Sequence, residues 1–447
     1  MVIFGQLDRR RFNALAGYAR HPKITLITTE LDWFADPQER VLGMLCWDRI
    51  DDDYGWVVFG RDAVARFRAI KVNASYPTAE EAYSALMVAM RDSMDLPDEA
   101  FHQGDEEGEA VDFFEPAVDE ERFHSSFKML LEDPRYSPAR ELISNMMRFH
   151  EDVDGNFVQK FQTAGWDALL WELYLFATFT ELGFIRQVDA PTPDFVLQGN
   201  LGGLTVEATS VNPSSSGPEK VPDEPEAFKQ YLENYIPIRL SSALRNKFNH
   251  KPPYWEQPAA KDLPFCIAVQ DFHLHGTMRF IVPAATEYVF GVRHWIEDGA
   301  RKIARIITHR YGKKRARPGF FELDGAQNVS AVIINPQGTV TKFNRLGKAA
   351  GFGDPRVKLL RTGMQRNDSN ADNPYPTPFS EDVGPASTET WVEGMVVLHN
   401  PKARIPLDPA LLPGAAHEFL QRDGSIMSLL PDFHPLFSQT HTAMDEG

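Results

Sequence analysis

Residues 165–209 read GWDALLWELYLFATFTELGFIRQVDAPTPDFVLQGNLGGLTVEAT, and this stretch decides the fold. A helix is predicted over 163–182. Its residues Trp166, Leu169, Leu170, Leu173, Phe176, Ala177 and Leu182 fill more than one helical face, so the helix is expected to be buried. Gly183 is a good terminator, because glycine tolerates the left-handed backbone that ends a helix. Strands are expected at 184–188, 194–198 and 203–209. The turn Gly199-Asn200-Leu201-Gly202-Gly203 joins the last two as a hairpin.

Three carboxylates stand out in this frame. Glu172 lies inside the buried helix, Asp194 follows Pro193 at the start of a strand, and Glu207 lies in the next strand. Alternate strand residues share a face, so Glu207 and Thr209 point one way while Val206 and Ala208 point into the core. The hairpin then makes Asp194 and Glu207 close neighbours. Converging carboxylates repel unless a cation lies between them. Hard oxygen ligands suit Mg²⁺ or Mn²⁺, and such an ion can polarise a phosphate, activate water and stabilise a leaving oxygen. Each carboxylate also has a plainer reading: an interface residue for Glu172, a turn residue for Asp194, an exposed strand residue for Glu207.

Moving outward, 225–250 reads as helical with an interruption at Pro237, and FCIAVQDF at 265–272 as an apolar strand. The order is helix, three strands, helix, strand. With Glu172, Pro193-Asp194 and Glu207-Ala208-Thr209 in place, about a quarter of the chain resembles the PD-(D/E)XK nuclease superfamily, which includes restriction endonucleases and many repair enzymes. The resemblance implies an α/β fold with a restriction-endonuclease-like core, a mixed central sheet flanked by helices. It also implies metal-dependent phosphodiester hydrolysis of nucleic acid, in restriction or defence, with Mg²⁺ or Mn²⁺ on Glu172, Asp194 and Glu207. One position departs from the superfamily pattern. Thr209 stands where it has a lysine that positions and activates the attacking water, and a hydroxyl cannot supply that charge. Either the lysine has moved to a neighbouring helix, a polar group substitutes, or the site is dead. Lys247 is the chosen replacement, since it shares a helical face with Leu240, Ala243 and Leu244; Lys229 and Gln230 precede it. A surface lysine is the plainer reading. The alternative function is a catalytically inactive nuclease-like fold acting as a nucleic-acid-binding or assembly module.

The remainder of the chain divides by composition. Strands are expected at 24–28, 41–48, 54–60 and 64–72 with a helix at 78–94, making residues 1–94 a small antiparallel α+β domain. Residues 95–121 carry twelve Asp or Glu and no Lys or Arg, and read as an acidic linker or solvated loop. Residues 122–447 then form the nuclease-like domain, its core at about 163–275 and helices before it to about 150. A helix over 285–311 is expected to end in the basic cluster Arg301, Lys302, Arg305, Arg310, Lys313, Lys314, Arg315 and Arg317, a natural phosphate-binding surface. A strand at 329–335, a loop at 365–390 and a strand at 391–400 complete the reading. His273 and His275 could share a strand face as metal ligands, though two histidines are too few for a zinc site. His399 and His434 have no readable partner.

With 447 residues, 43% hydrophobic and 24% charged, the composition is that of a soluble globular protein of two or three domains. The formal net charge of −17 argues against a surface coated with positive charge, but the basic and acidic runs are segregated. Cys46 and Cys266, both in apolar runs, read as buried thiols in a reducing compartment. No signal peptide or membrane span is expected, which makes the cytoplasm the default. The expected partner is nucleic acid, DNA first; a homodimer or protein partner through the N-terminal domain is the other. No Walker lysine motif, dinucleotide fingerprint or nucleophile elbow is present.

Overall fold

The 199–203 turn does what its glycines permit: Gly202 takes φ +141° and Gly199 pairs with Gly202 across the closed hairpin. The resulting strands build outward into a mixed sheet. A computed structural model describes residues 4–106, 108, 110–149, 155–187, 192–214, 218, 220–298, 300–366 and 376–445, the side chain of Arg301 excepted. The strands run β1 (Gly5–Leu7), β2 (Thr28–Ala35), β3 (Val41–Asp48), β4 (Asp53–Arg61), β5 (Phe67–Tyr76), β6 (Ile185–Arg186), β7 (Phe195–Gly199), β8 (Gly202–Val211), β9 (Phe265–Asp271), β10 (Val292–Glu297), β11 (Ala300–Arg305), β12 (His309–Tyr311), β13 (Lys314–Ala316), β14 (Ala331–Ile334), β15 (Val357–Gln365), β16 (Thr377–Asp382), β17 (Val396–His399), β18 (Ala416–Leu420), β19 (Ile426–Leu429) and β20 (Pro435–Met444).

The central sheet has eight strands in the order β19-β18-β17-β14-β9-β8-β7-β6. Strands β8, β9 and β14 are mutually parallel, whereas β6, β7 and β8 pair antiparallel. Alternation along β9 separates two hydrophobic layers. Cys266 and Ala268 join the core under the Trp166–Glu181 helix, while Phe265, Ile267 and Val269 join the core under the Ile236–Phe248 and Ile281–Phe290 helices. The protein is therefore a mixed α/β fold, a mixed sheet flanked by helices on both faces. The helix at 166–181 is buried as expected: Trp166, Leu170, Trp171, Leu173 and Tyr174 are each at most 1% exposed. The Trp171 indole N–H donates to the Ala268 carbonyl at 3.3 Å and pins the helix over β9.

Strands β1–β5 form an antiparallel sheet in sequence order. Val41, Leu45, Trp56 and Val58 pack on the Ala79–Met94 helix. The other face, with Leu42, Met44, Phe59 and Phe67, shares one core with the Trp166–Glu181 helix. The acidic stretch at 95–121 is largely exposed among the described residues, but it buries Phe101 against the first face and Phe114 against Phe127.

Several local expectations are corrected. The 24–28 run is not a strand. The Thr25 hydroxyl donates to the Pro22 carbonyl at 2.6 Å, Ile24–Ile27 winds into one helical turn with Ile24 and Leu26 exposed, and β2 starts at Thr28. The 285–311 helix stops at Phe290, where Gly291 at φ +71° caps it. Beyond it two hairpins form, β10–β11 and β12–β13, the first turning through Asp298 at φ +52°. Isoleucines at 296, 303, 306 and 307 favour strands as readily as a helix, so local periodicity was ambiguous there. Of the expected 391–400 strand only β17 forms, because Gly394 at φ +83° turns the chain first. Pro237 does not interrupt its helix. A π turn at Tyr231–Tyr235 leads into Ile236–Phe248, and the proline occupies the first turn, where no N–H is required. The expected 365–390 loop contains β16 paired with β15; residue 188 of the expected 184–188 strand and residues 367–375 lie outside the described residues.

Candidate active site

Pairing of Phe195 with Val206 ends the β7–β8 ladder at Pro193, which has no N–H to donate. The carboxylates take over where the ladder stops. Glu207 Oε2 accepts the Asp194 backbone N–H at 3.2 Å, and Asp194 Oδ2 accepts the Ala208 backbone N–H at 2.7 Å. This reciprocal exchange makes the two acids close neighbours. Val206 and Ala208 lie in the core beneath the Trp166–Glu181 helix, and Glu207 faces the opposite layer, only 3% exposed.

A buried carboxylate demands a counter-charge, and Lys247 supplies it. The lysine reaches from the last turn of the Ile236–Phe248 helix and places Nζ 2.5 Å from Glu207 Oε1. Its side chain remains 29% exposed. Burial pulls the ammonium down, but the charges of Glu207, Asp194 and Glu172 outweigh it and hold the lysine above its usual range. Glu172, half-buried on the Trp166–Glu181 helix across the sheet, adds its charge to the group. Its carboxyl is pushed up to about 8, first by burial and then by the charge of Asp194, with Lys247 and Arg186 opposing. Asp194 is pushed up to about 6 by burial and then by Glu207, against Lys247, the Ala208 N–H and Arg186. Negative charge is thus crowded and incompletely compensated.

Two residues absent from the sequence reading belong here. Tyr254, 5% exposed in the turn after the lysine helix, lies near Glu207, and burial first and then that carboxylate raise its phenol. Arg186, on β6, stacks over Phe195 with the guanidinium carbon 5.2 Å from the ring centroid. It opposes the charge of Glu172 and Asp194. The only local signal for Arg186 was a lone basic residue between the helix and the Pro-Asp pair. Tyr254 had none.

Of the other sequence candidates, Lys229 lies in a separate helix, Pro225–Gln230, with Gln230 bonded to Glu226 at 3.2 Å. His273 and His275 do not share a strand, since β9 ends at Asp271. His273 is buried, with Nδ1 2.5 Å from Asp271 Oδ1 and Nε2 2.5 Å from the Tyr231 hydroxyl; His275 is exposed. His399 does have a partner, His417, at 2.9 Å, and burial lowers both rings below their ordinary range. Burial, then Arg366, lowers buried His434 to about 4. The basic residues occupy the two hairpins. Lys302, Arg305, Arg310, Lys313 and Arg315 are exposed, Lys314 is half-buried, and exposed Trp295 lies opposite Lys302 on the first ribbon. The second hairpin packs on the helix that carries Lys247.

Asp194 and Glu207 fit the divalent ion that the resemblance implies, as a pair of hard oxygen donors on adjoining strands. No group of three or more His, Cys, Asp or Glu side chains among the described residues converges as a preformed metal site. Among the described residues no helix is long and apolar enough to cross a membrane. No family model, curated protein or solved structure matches this chain.

Proposed function

We propose that the chain is a metal-dependent nuclease of the PD-(D/E)XK type, with Asp194, Glu207 and Glu172 as its acidic site and Lys247 in place of the motif lysine. The observation that carries this reading is the contact of Lys247 Nζ with Glu207, the cross-strand neighbour of Asp194. A lysine from a neighbouring helix supplies the charge that Thr209 cannot. Asp194 and Glu207 would hold Mg²⁺ or Mn²⁺, with Glu172 as the third acid of the site. When bound, the ion would supply electrophilic activation of the phosphate and of water. Lys247 orients the Glu207 carboxylate and keeps two further N–H donors for a water or a phosphate oxygen. The basic hairpins would hold the backbone of a nucleic acid away from the cleavage point.

The direct test is cleavage of single- and double-stranded DNA and RNA with Mg²⁺ or Mn²⁺. Loss of activity in Asp194→Ala and Glu207→Ala is expected, with strong impairment in Lys247→Met. Cleavage that survives both carboxylate substitutions would refute the assignment. Two observations favour a second reading, a silent nuclease-like fold acting as a binding module: Lys247 already pairs with Glu207, and no three-ligand group is preformed among the described residues. Calorimetry with Mn²⁺ separates the two, because a silent site shows no binding that Asp194→Ala removes.

A further inference from the structure

A cleft of about 710 Å³ lies between the N-terminal sheet and the Trp166–Glu181 helix. Its walls include Arg66 and Arg68 at the start of the β5 strand region, Arg20, and Phe176, Thr180 and Arg186 from the central fold. Glu172, Phe176 and Thr180 are spaced four residues apart, so they share one face of their helix. Two of the three line the cleft, and the third belongs to the acidic site. Arg186 also lines the cleft and opposes the charge of Glu172 and Asp194. The cleft and the acidic site are therefore connected along one helical stripe and through one arginine.

The chemistry of the walls is specific. Arg186 has no ion pair among the described residues. Arg20, Arg66 and Arg68 are paired with Glu30, Asp62 and Asp105, yet a guanidinium has five N–H donors, and each pairing leaves at least one nitrogen uncommitted. Tyr18 and Phe176, half-buried in the wall, stack with ring centroids 5.2 Å apart, and Phe149 stacks on Tyr18 at 5.4 Å. These walls supply the positively charged groove of single-strand recognition, where phosphates meet the arginines; the rings, stacked on one another, form a rigid wall beside them. A volume in this range holds a few nucleotide units and excludes a duplex.

We infer that this cleft binds single-stranded nucleic acid and leads its backbone to Asp194 and Glu207. Only the last step, cleavage at those residues, rests on the nuclease reading; binding does not. The test is fluorescence anisotropy of labelled single strands of about 15 nucleotides, as DNA and as RNA, and of the matching DNA duplex, titrated with the full chain in EDTA. Wild type should bind the single strands in a salt-sensitive manner. Arg186→Gln should weaken that binding about tenfold or more, as loss of a charge-assisted contact does, and Arg186→Lys should restore part of it. Arg68→Gln, at the exposed rim, serves as a second variant should Arg186→Gln fail to fold as judged by thermal unfolding. Single strands that bind all these variants as they bind wild type, or that do not bind at all, would overturn the inference. Binding that depends on Arg186 without cleavage under any metal leaves the cleft standing and removes the nuclease. Cleavage that requires Asp194 but ignores Arg186 does the reverse.

Discussion

Replacing Lys247 by Met isolates the interaction on which the site turns. Nζ lies 2.5 Å from Glu207 Oε1. At an effective dielectric of about 20, that attraction is about 7 kcal/mol before desolvation is subtracted. Removing one partner of a fully buried pair costs roughly 3–5 kcal/mol, because the other charge is left uncompensated. Glu207 is 3% exposed, so its carboxylate cannot rehydrate, but Lys247 is 29% exposed and part of its charge was already solvated. The Asp194 N–H remains on Glu207. A loss of about 2–3 kcal/mol is therefore expected, read from urea unfolding in EDTA at constant slope. Glu207→Gln removes the stranded charge, so the double variant Lys247→Met/Glu207→Gln should recover much of the loss and give a coupling of at least about 1 kcal/mol in a double-mutant cycle. A single-variant cost below about 0.5 kcal/mol, with no coupling, would show that the contact does not hold the site and would remove the reason for assigning Lys247.

Asp194→Asn should stabilise the metal-free protein by about 1 kcal/mol at pH 8 while abolishing cleavage, since it removes a crowded charge and keeps an acceptor for the Ala208 N–H; a destabilised variant in urea would contradict the crowding. The pH dependence carries a sign. Glu172, about 8 in the fold against an ordinary 4.5, contributes stability that is complete below 4.5 and is lost as pH rises through 8. His399 and His434, lowered by burial, act oppositely as pH falls below 6.5. Between pH 6.5 and 8 the wild-type protein in EDTA should thus lose about 1–2 kcal/mol that Glu172→Gln does not lose, and parallel urea midpoints for the two would refute it. Gly347→Ala should cost about 2–3 kcal/mol: its methyl carbon would lie at 2.6 Å from the Pro138 carbonyl carbon, where the Val340–Ala349 and Ser137–Met146 helices cross, and an unchanged melting temperature would disprove that packing.

The sequence by itself determined the elements around the site. Apolar residues on more than one face required a buried helix at 163–182, the glycine turn required the β7–β8 hairpin, and alternation along β8 separated Glu207 from Val206 and Ala208. Together these placed Asp194 beside Glu207. Helical spacing placed Lys247 on the inward face of its helix, and the ion pair to Glu207 is its outcome. Each of these inferences spans a few residues or one tight turn, where backbone geometry leaves little choice. Only the tertiary structure decided the rest. Arg186 and Tyr254 reach the carboxylates from β6 and from a turn beyond the lysine helix, and the cleft needs walls from residues 17–25, 66–69 and 176–186. His399 finds His417 through parallel strands, not through spacing. The 292–316 segment folds as hairpins because pairing across its turns outcompetes a helix of similar local preference. Period and turn chemistry state which face is buried, but not which distant surface covers it, and that surface is where the remaining charge and the cleft arise.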